Sequence, residues 1–507
     1  MKAVIGIDIG TQGVKAAVFT IDGRCLGQAF APSQLLCSAA GEVEEDPEVQ
    51  VANVCRTMRM CMHKAGLHAD DVAGIGLDGQ MAGVIGVDRE GRCVTPYDSW
   101  LDTRCAPYIA VMNRRAGTRI VQRTGGPASF NHGPKALWWK QERPNVYRRI
   151  HAFVQPAGYA AMRLCDLHGD AAFIDWTYLH FSGFADTAAG KWDAGLCRTF
   201  DMDGEKLPRI VAPQTVIGEL SARMARRCGV RAGVPVVAGC GDTAASFLAC
   251  GAVAPGICVD VAGTASVFAA TGAVMQPDVK NGMLSCGRSA VPGLWHSYAY
   301  INGGGMNLEW FRRELAGSGK GKLPSWDELE AQAAQADVNG PFFVPHMAGR
   351  VSPPQPNLRG AWVGLSHVHT RGDLFRALLE SVALEYAVYR DVLRTLHRSF
   401  QLRELRITGG GERNALWNQM KADALGVPVR RILDPYGAPM GAAMLAGWGV
   451  GLLPGLTQAA QTWVKPDTLA IRPNAARAES YRQRTKVYQT LLKALDLPLV
   501  GRKETAT

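Results

Sequence analysis

The sequence predicts an α/β protein built as two sizeable domains, and three observations carry that reading. Strand-like and helix-like apolar patterns alternate along the whole chain. At 507 residues the chain is longer than a single hydrophobic core usually organises. A strand, glycine turn and strand near the start, "GIDIGTQGVKAAVFT", also return in the second half as "GICVDVAGTASVFAATG", with Gly263-Thr264 standing where Gly10-Thr11 stand first. The spacing is far too wide for a short-period repeat array, so the pair suggests a duplicated domain.

The elements follow in order. "AVIGIDIG", "VKAAVFTI" and "CLGQAFAP" read as a strand meander, followed by a helix from about Pro47 to Gly66. "GIGLDGQMAGVIGVD" reads as strand, turn, strand. In "PVVAGCGDTAASFLACGAV" a strand, a glycine turn and a short apolar helix come in sequence. The domain boundary is set there, with residues 1–240 as the first domain and 241–470 as the second. "LRELRITGGGERNALWNQMKADALGVPV" is a strand, a triple-glycine turn and a helix, which Gly426 stops. Residues 471–507 form a tail whose basic amphipathic helix, near Glu479 to Leu495, is expected to pack back on a domain, with the first as candidate.

Composition narrows the function classes. Apolar residues make up 47% and charged residues 20%, as in an ordinary soluble globular protein. No apolar run reaches bilayer length, and the first residues enter a strand without a signal-peptide pattern, so a cytoplasmic setting is expected. There the 13 cysteines stay reduced. Neither Cys25 with Cys37 nor Cys55 with Cys61 has zinc-site spacing. The net charge of +10 is spread along the chain, and no nucleic-acid module is present.

The chemistry concentrates at glycine turns. Asp8 closes an apolar strand just before Gly10. Without Cβ atoms, such a turn lets backbone N–H groups approach a phosphate. Thr11 and Gln12 add donors there, and Lys15 adds a positive charge. Asp8 would suit a hydrated magnesium ion, which takes one or two carboxylates plus phosphate oxygens. A plain hairpin with a hydrogen-bonded aspartate explains the stretch as well. "VAGTASV", "INGGGMNLEW" and "TGGGERNALW" repeat the glycine pattern, and the last two open helices, where anions bind readily. Together they suit a nucleotide clasped between domains. Asp242, in "AGCGDTAASF", reads as a helix N-cap from its local chemistry. The other reading is a general base toward an alcohol, since positioning outweighs basicity in a loose phosphoryl-transfer transition state, but local chemistry alone favours the cap.

As a set these residues resemble the FGGY family of carbohydrate kinases, and within it the xylulokinases. Ordered matches run from about residue 3 to residue 450: "GIDIGTQGVKAAVFT", "GLDGQMAGVIGVDREG", "SWLDTR", "GCGDTAAS", "GTASVFAATG", "VPHMAGRVSPPQPNLRGAWVGL" with "GDLFRALLESVALE", and "TGGGERNALWNQMKADALGVPV". The resemblance implies two actin-like, ribonuclease H-like domains with a nucleotide and sugar cleft between them. It implies ATP and Mg2+, with Asp8 at the metal and Thr11, Gln12 and Lys15 in the first phosphate loop. Gly263 and Thr264 match the second phosphate loop, Gly305 and Glu309 the nucleotide-facing turn, and Gly410 and Asn414 the adenosine pocket. Asp242 matches the catalytic base.

For the sugar, the resemblance implies Gln80, Met81, Ala82, Trp100, Asp102, Asp242 and Thr243. Ala82 stands where the family carries histidine and Thr243 where it carries asparagine, so two sugar-hydroxyl partners differ. Asn131 or His132 could replace the missing side chain. The implied partners are a small sugar and ATP, with no nucleic acid and no membrane, and a homodimer is allowed. The implied reaction is phosphorylation of a terminal hydroxyl of a small ketose, D-xylulose to D-xylulose 5-phosphate. The alternatives are another pentulose, a polyol or a small hydroxylated signal, and, in a different class, a silent sugar- and nucleotide-binding protein. The presence of both Asp8 and Asp242 speaks against the last.

Overall fold

In the computed structural model, residues 2–38, 41–317 and 323–497 are described. Two sheets organise them, and their topologies match. The first contains β1 (Ala3–Gly10), β2 (Gly13–Thr20), β3 (Cys25–Pro32), β4 (Val72–Gly79), β5 (Val216–Glu219), β6 (Pro235–Val237) and β7 (Cys240–Gly241), ordered β5-β6-β4-β1-β2-β3, with β7 also pairing β4. The second contains β8 (Ile257–Ala262), β9 (Ser266–Gly272), β10 (Ser285–Arg288), β11 (Trp295–Ile301), β12 (Glu404–Thr408), β13 (Val429–Leu433) and β14 (Lys465–Pro466), ordered β10-β11-β9-β8-β12-β13-β14. In each, an antiparallel meander (β1-β2-β3, β8-β9-β11) is extended by two parallel strands (β4 and β6, β12 and β13). The repeated hairpin in the sequence is therefore the start of two copies of one topology.

Buried strands and apolar helix faces close each layer. Helix α1 (Pro47–Ala65) starts at Asp46, whose side chain accepts from the Glu48 N–H, and stops at Gly66 in the left-handed region. Its face of Val51, Val54, Met58, Cys61 and Met62 covers β1–β3. Helices α2 (Asp242–Ala249), α3 (Gly304–Trp310), α4 (Arg371–Leu396), α5 (Ala415–Leu425), α6 (Ala438–Gly449) and α7 (Ala475–Ala494) complete the frame. Among them, α4 and α5 underlie the second sheet.

One helix crosses the division drawn at residue 240, and another, expected to cross it, stays. Helix α6 belongs to the second half by sequence but lies on the first sheet, across β1 and β4. Glycines make the close approach possible: a Cβ on Gly6 would stand 1.7 Å from the Pro439 carbonyl oxygen, and one on Gly76 2.1 Å from that of Ala442. The C-terminal helix does the reverse of what its position suggested. Helix α7 packs on α4 and α5 of the second domain, burying Tyr481, Tyr488 and Leu492 there, and the Tyr488 hydroxyl donates to Glu385 at 2.9 Å. Its apolar face matches the second core; α6 is the element that returns to the first domain. The predicted thiols stay unpaired: all 13 cysteines are free. Among the described residues, no helix is long and apolar enough to cross a membrane.

Candidate active site

Parallel pairing gathers carboxylates that the sequence scatters. Asp8 on β1 is in register with Asp78 on β4, and Cys240 of β7 is in register with Asp78. Residues in register on parallel strands point to the same face. Asp242 follows Cys240 by two residues, so three acids meet at the carboxyl ends of β1, β4 and β7. The boundary after residue 240 puts Asp242 in the second domain, whereas the structure sets it beside Asp8 at the end of the first sheet. On the other side of β1, Lys15 of β2 is in register with Asp8 and supplies the facing positive charge.

The electrostatics follow from crowding. Burial raises the Asp8 carboxyl, while the charge of Lys15 and a hydrogen bond with Asp78 act in the opposite direction. Asp78 is held well above the usual carboxylate range by burial and by the charges of Asp8 and Asp242. Burial, with the Asp8 charge adding, pushes Asp242 up to about 7 against two hydrogen bonds from Thr243. The Thr243 N–H donates to Asp242 Oδ1 at 2.5 Å and its hydroxyl to the same oxygen at 3.1 Å. Thr243 thus serves the carboxylate first. The cap reading of Asp242 does not hold: Gly241 is the N-cap, without a side-chain bond, and Asp242 is the first helical residue.

The stretch expected to be the first phosphate loop is a two-residue hairpin turn, Thr11-Gln12, between β1 and β2. Gly13 after it, at φ +153°, has no space for a side chain, since a Cβ would fall 2.3 Å from the Ala31 carbonyl oxygen. Trp100 donates its indole N–H to Thr11 Oγ1 at 2.8 Å and leaves 41% of its surface exposed, walling the loop. Behind the loop, Gln80 donates to buried Glu45 at 2.9 Å. Its carbonyl oxygen receives the Thr11 hydroxyl at 3.3 Å and that of Tyr97 at 3.4 Å.

Other sugar-side expectations change. Asp102 is buried and committed: its Oδ2 accepts from the Val43 N–H and from Arg104 Nε, each at 2.9 Å. Arg104 sits among Glu44, Asp98 and Asp102 at 2.6, 3.1 and 2.8 Å, so this convergence of acids is an ion-paired brace, and Asp102 is not a free sugar partner. Met81 is packed with Ile174, Tyr178 and Leu179. His132 does not fill the place of the missing side chain at half-buried Ala82. Its Nε2–H donates to the Met81 carbonyl at 2.7 Å, bracing the same loop from behind. Asn131 donates to Pro127 instead, at 3.2 Å.

On the second sheet three glycine turns converge at the end of β8. The Gly305 and Met306 N–H groups donate to the carbonyls of Gly263 and Thr264, both at 3.0 Å. A Cβ on Gly305 would come within 2.6 Å of the Gly263 oxygen, and one on Gly409, at φ +93°, within 2.7 Å of the Ala262 oxygen. Thr264 and Gly410 are exposed at the rim. Glu309 pairs with Arg312 at 3.3 Å, and Asn414 caps α5 by accepting from the Trp417 N–H at 2.7 Å. Asp260 faces away from this cradle, as strand alternation predicts. It accepts from Lys421 at 2.5 Å and from the Tyr386 hydroxyl at 2.6 Å, while Val261 takes the place that Asp8 has in the first copy.

Sequence reading missed Asp78 and Glu45. Asp78 carries the signal that singled out Asp8, a carboxylate closing an apolar strand beside a glycine in "GIGLDGQ".

A duplicated sheet topology with a carboxylate cluster on one copy and a glycine cradle on the other defines a two-domain, actin-like kinase. The chain belongs to the FGGY family of carbohydrate kinases. The family's N-terminal domain matches residues 3–249 and its C-terminal domain residues 258–450. It is 29% identical to the xylulose kinase of Escherichia coli, over 98% of this chain and all of that one. It is also 29% identical to the glycerol kinase of Nocardia farcinica, over 92% and 94%. The crystal structure of xylulose kinase from Rhodospirillum rubrum superposes with a TM-score of 0.88 at 27% identity, covering 97% of this chain and 99% of that one. The protein is a sugar kinase.

Proposed function

We propose that the enzyme transfers the γ-phosphoryl group of ATP to a terminal hydroxyl of a small ketose, converting D-xylulose to D-xylulose 5-phosphate. The observation that carries this is the state of Asp242. Its Oδ1 is fixed by both donors of Thr243 while Oδ2 bonds to no described residue, and it stands beside Asp8 and Asp78 at the carboxyl ends of the first sheet's strands. In this reading Oδ2 accepts the hydrogen bond of the attacking hydroxyl and takes its proton as the P–O bond forms and the ADP oxygen departs. The turns at Thr11-Gln12 and Gly263-Thr264 hold the phosphates from opposite sides, with Lys15 adding charge. Gly305, Glu309, Gly410 and Asn414 border the nucleoside. Gln80, Met81, Ala82 and Trp100 shape the acceptor side.

A buried carboxylate set with unpartnered oxygens, Asp8 Oδ1 among them, is the donor chemistry a hard cation takes. A magnesium ion held there by Asp8 would neutralise phosphate charge. Closure of the cleft would then expel water and align the reacting atoms. The proposed setting is the cytoplasm, in keeping with the unpaired thiols.

A polyol acceptor is the second reading. It is favoured by Ala82, which offers no hydrogen bond, and by the similarity to a glycerol kinase. ADP release measured across D-xylulose, other pentuloses, glycerol and longer polyols separates the two. The highest kcat/KM on D-xylulose supports the first; no rate on it above ATP hydrolysis in water overturns it.

A further inference from the structure

We propose that Asp78 is a second carboxylate of the cation seat, acting with Asp8; this rests on the kinase reading above. Asp78 has no exposed surface, and apart from the Asp8 carboxyl beside it neither of its carboxylate oxygens meets a hydrogen-bond partner among the described residues. Asp8 is 8% exposed, and its Oδ1 is likewise unpartnered. A buried carboxylate without a donor is costly, and proteins rarely keep one without a ligand or a catalytic use. Here two stand in register on adjacent parallel strands, so their side chains leave the sheet side by side. Purely structural acids in this chain look different. Asp260 has Lys421 and Tyr386, Asp175 has two bonds from Thr177, and Asp102 has Arg104 and the Val43 N–H. Asp78 has no such cation or donor, and Asp242 follows the neighbouring strand β7 as the first residue of α2. A divalent cation takes oxygen ligands and binds through one or two carboxylates plus phosphate oxygens. The oxygens of Asp8 and Asp78 together match that demand.

The test is Mn2+ binding to the full chain with ADP present, read by the loss of the free-Mn2+ electron paramagnetic resonance signal, for wild type, Asp8→Asn and Asp78→Asn. Asparagine keeps size and can still donate to Asp8, so a role limited to hydrogen bonding within the pair survives it, while a contribution of charge to the cation does not. The expected result is that Asp78→Asn weakens Mn2+ by ~10–100-fold, the range seen when groups supporting a metal are removed. It should also unfold at a higher temperature than wild type without metal, because an uncompensated buried acid is gone. Weakening by Asp8→Asn with wild-type affinity in Asp78→Asn overturns the role of Asp78 alone. Unchanged affinity in both variants overturns the metal role of Asp8 as well. Should Asp78→Asn not fold, Asp78→Ser takes its place in the Mn2+ titration, and wild-type affinity in that variant overturns the inference.

Discussion

Replacing Thr243 with valine tests the electrostatics of the proposed base. The substitution keeps the shape of the side chain and removes the hydroxyl that donates to Asp242 Oδ1 at 3.1 Å, while the Thr243 N–H bond at 2.5 Å stays. A hydrogen bond to a charged group is worth ~1.5–3 kcal/mol. Because this bond favours the ionised form, its loss raises the Asp242 pKa, by ~1–2 pH units at ~1.4 kcal/mol per unit. Burial and the Asp8 charge already place that carboxyl at about 7. Only the ionised carboxylate can accept the proton, so kcat/KM rises with pH and levels off above the pKa of the free enzyme. Moving the pKa up by one unit leaves roughly a tenth of the enzyme competent at neutral pH where about half was before, a loss of ~5-fold. Raising the pH by two units should restore most of it. Coupled ADP-release assays at low sugar concentration, taken from mildly acidic to alkaline pH, give both limbs. A Thr243→Val enzyme whose acidic limb stays at the wild-type pH, or whose loss persists at alkaline pH, refutes the assignment.

Two further perturbations address the frame that positions the site. Gly76→Ala would put a Cβ 2.1 Å from the Ala442 carbonyl oxygen, an overlap with backbone that α6 cannot relieve without moving, and should cost ~1–3 kcal/mol by urea unfolding; wild-type stability would show that α6 is not seated tightly on β4. Lys421→Met strands Asp260 without its charge partner where both side chains are fully buried, and should destabilise by ~3–5 kcal/mol. Adding Asp260→Asn should recover most of that loss. A double variant no more stable than the single one would contradict the pairing.

How far the sequence reveals this arrangement depends on whether a feature is local. The hairpins at Thr11-Gln12 and Gly263-Thr264 are local: apolar strands flank a short glycine turn, and both form as predicted. Helix α1 with its Asp46 cap and Gly66 stop is local too. The acid cluster is not. Asp8, Asp78 and Asp242 become neighbours only through the parallel pairing of β1, β4 and β7, a register that nothing within any one strand encodes. Asp102 is half of each kind: its ion pair with Arg104, two residues on, is local, whereas the Val43 N–H that occupies the same oxygen arrives only when a distant segment docks. The placing of α6 on the first sheet and of α7 on the second domain is equally non-local, because an amphipathic face states that a helix packs but not against which core.

The central claim is that Asp242 accepts the proton of the sugar hydroxyl, and Asp242→Asn tests it most directly. Asparagine preserves size while removing the charge that accepts a proton. With D-xylulose as acceptor, sugar-dependent ADP release should fall by ~10²–10⁴-fold, with ATP affinity within a few-fold of wild type. Wild-type turnover in Asp242→Asn would contradict the account.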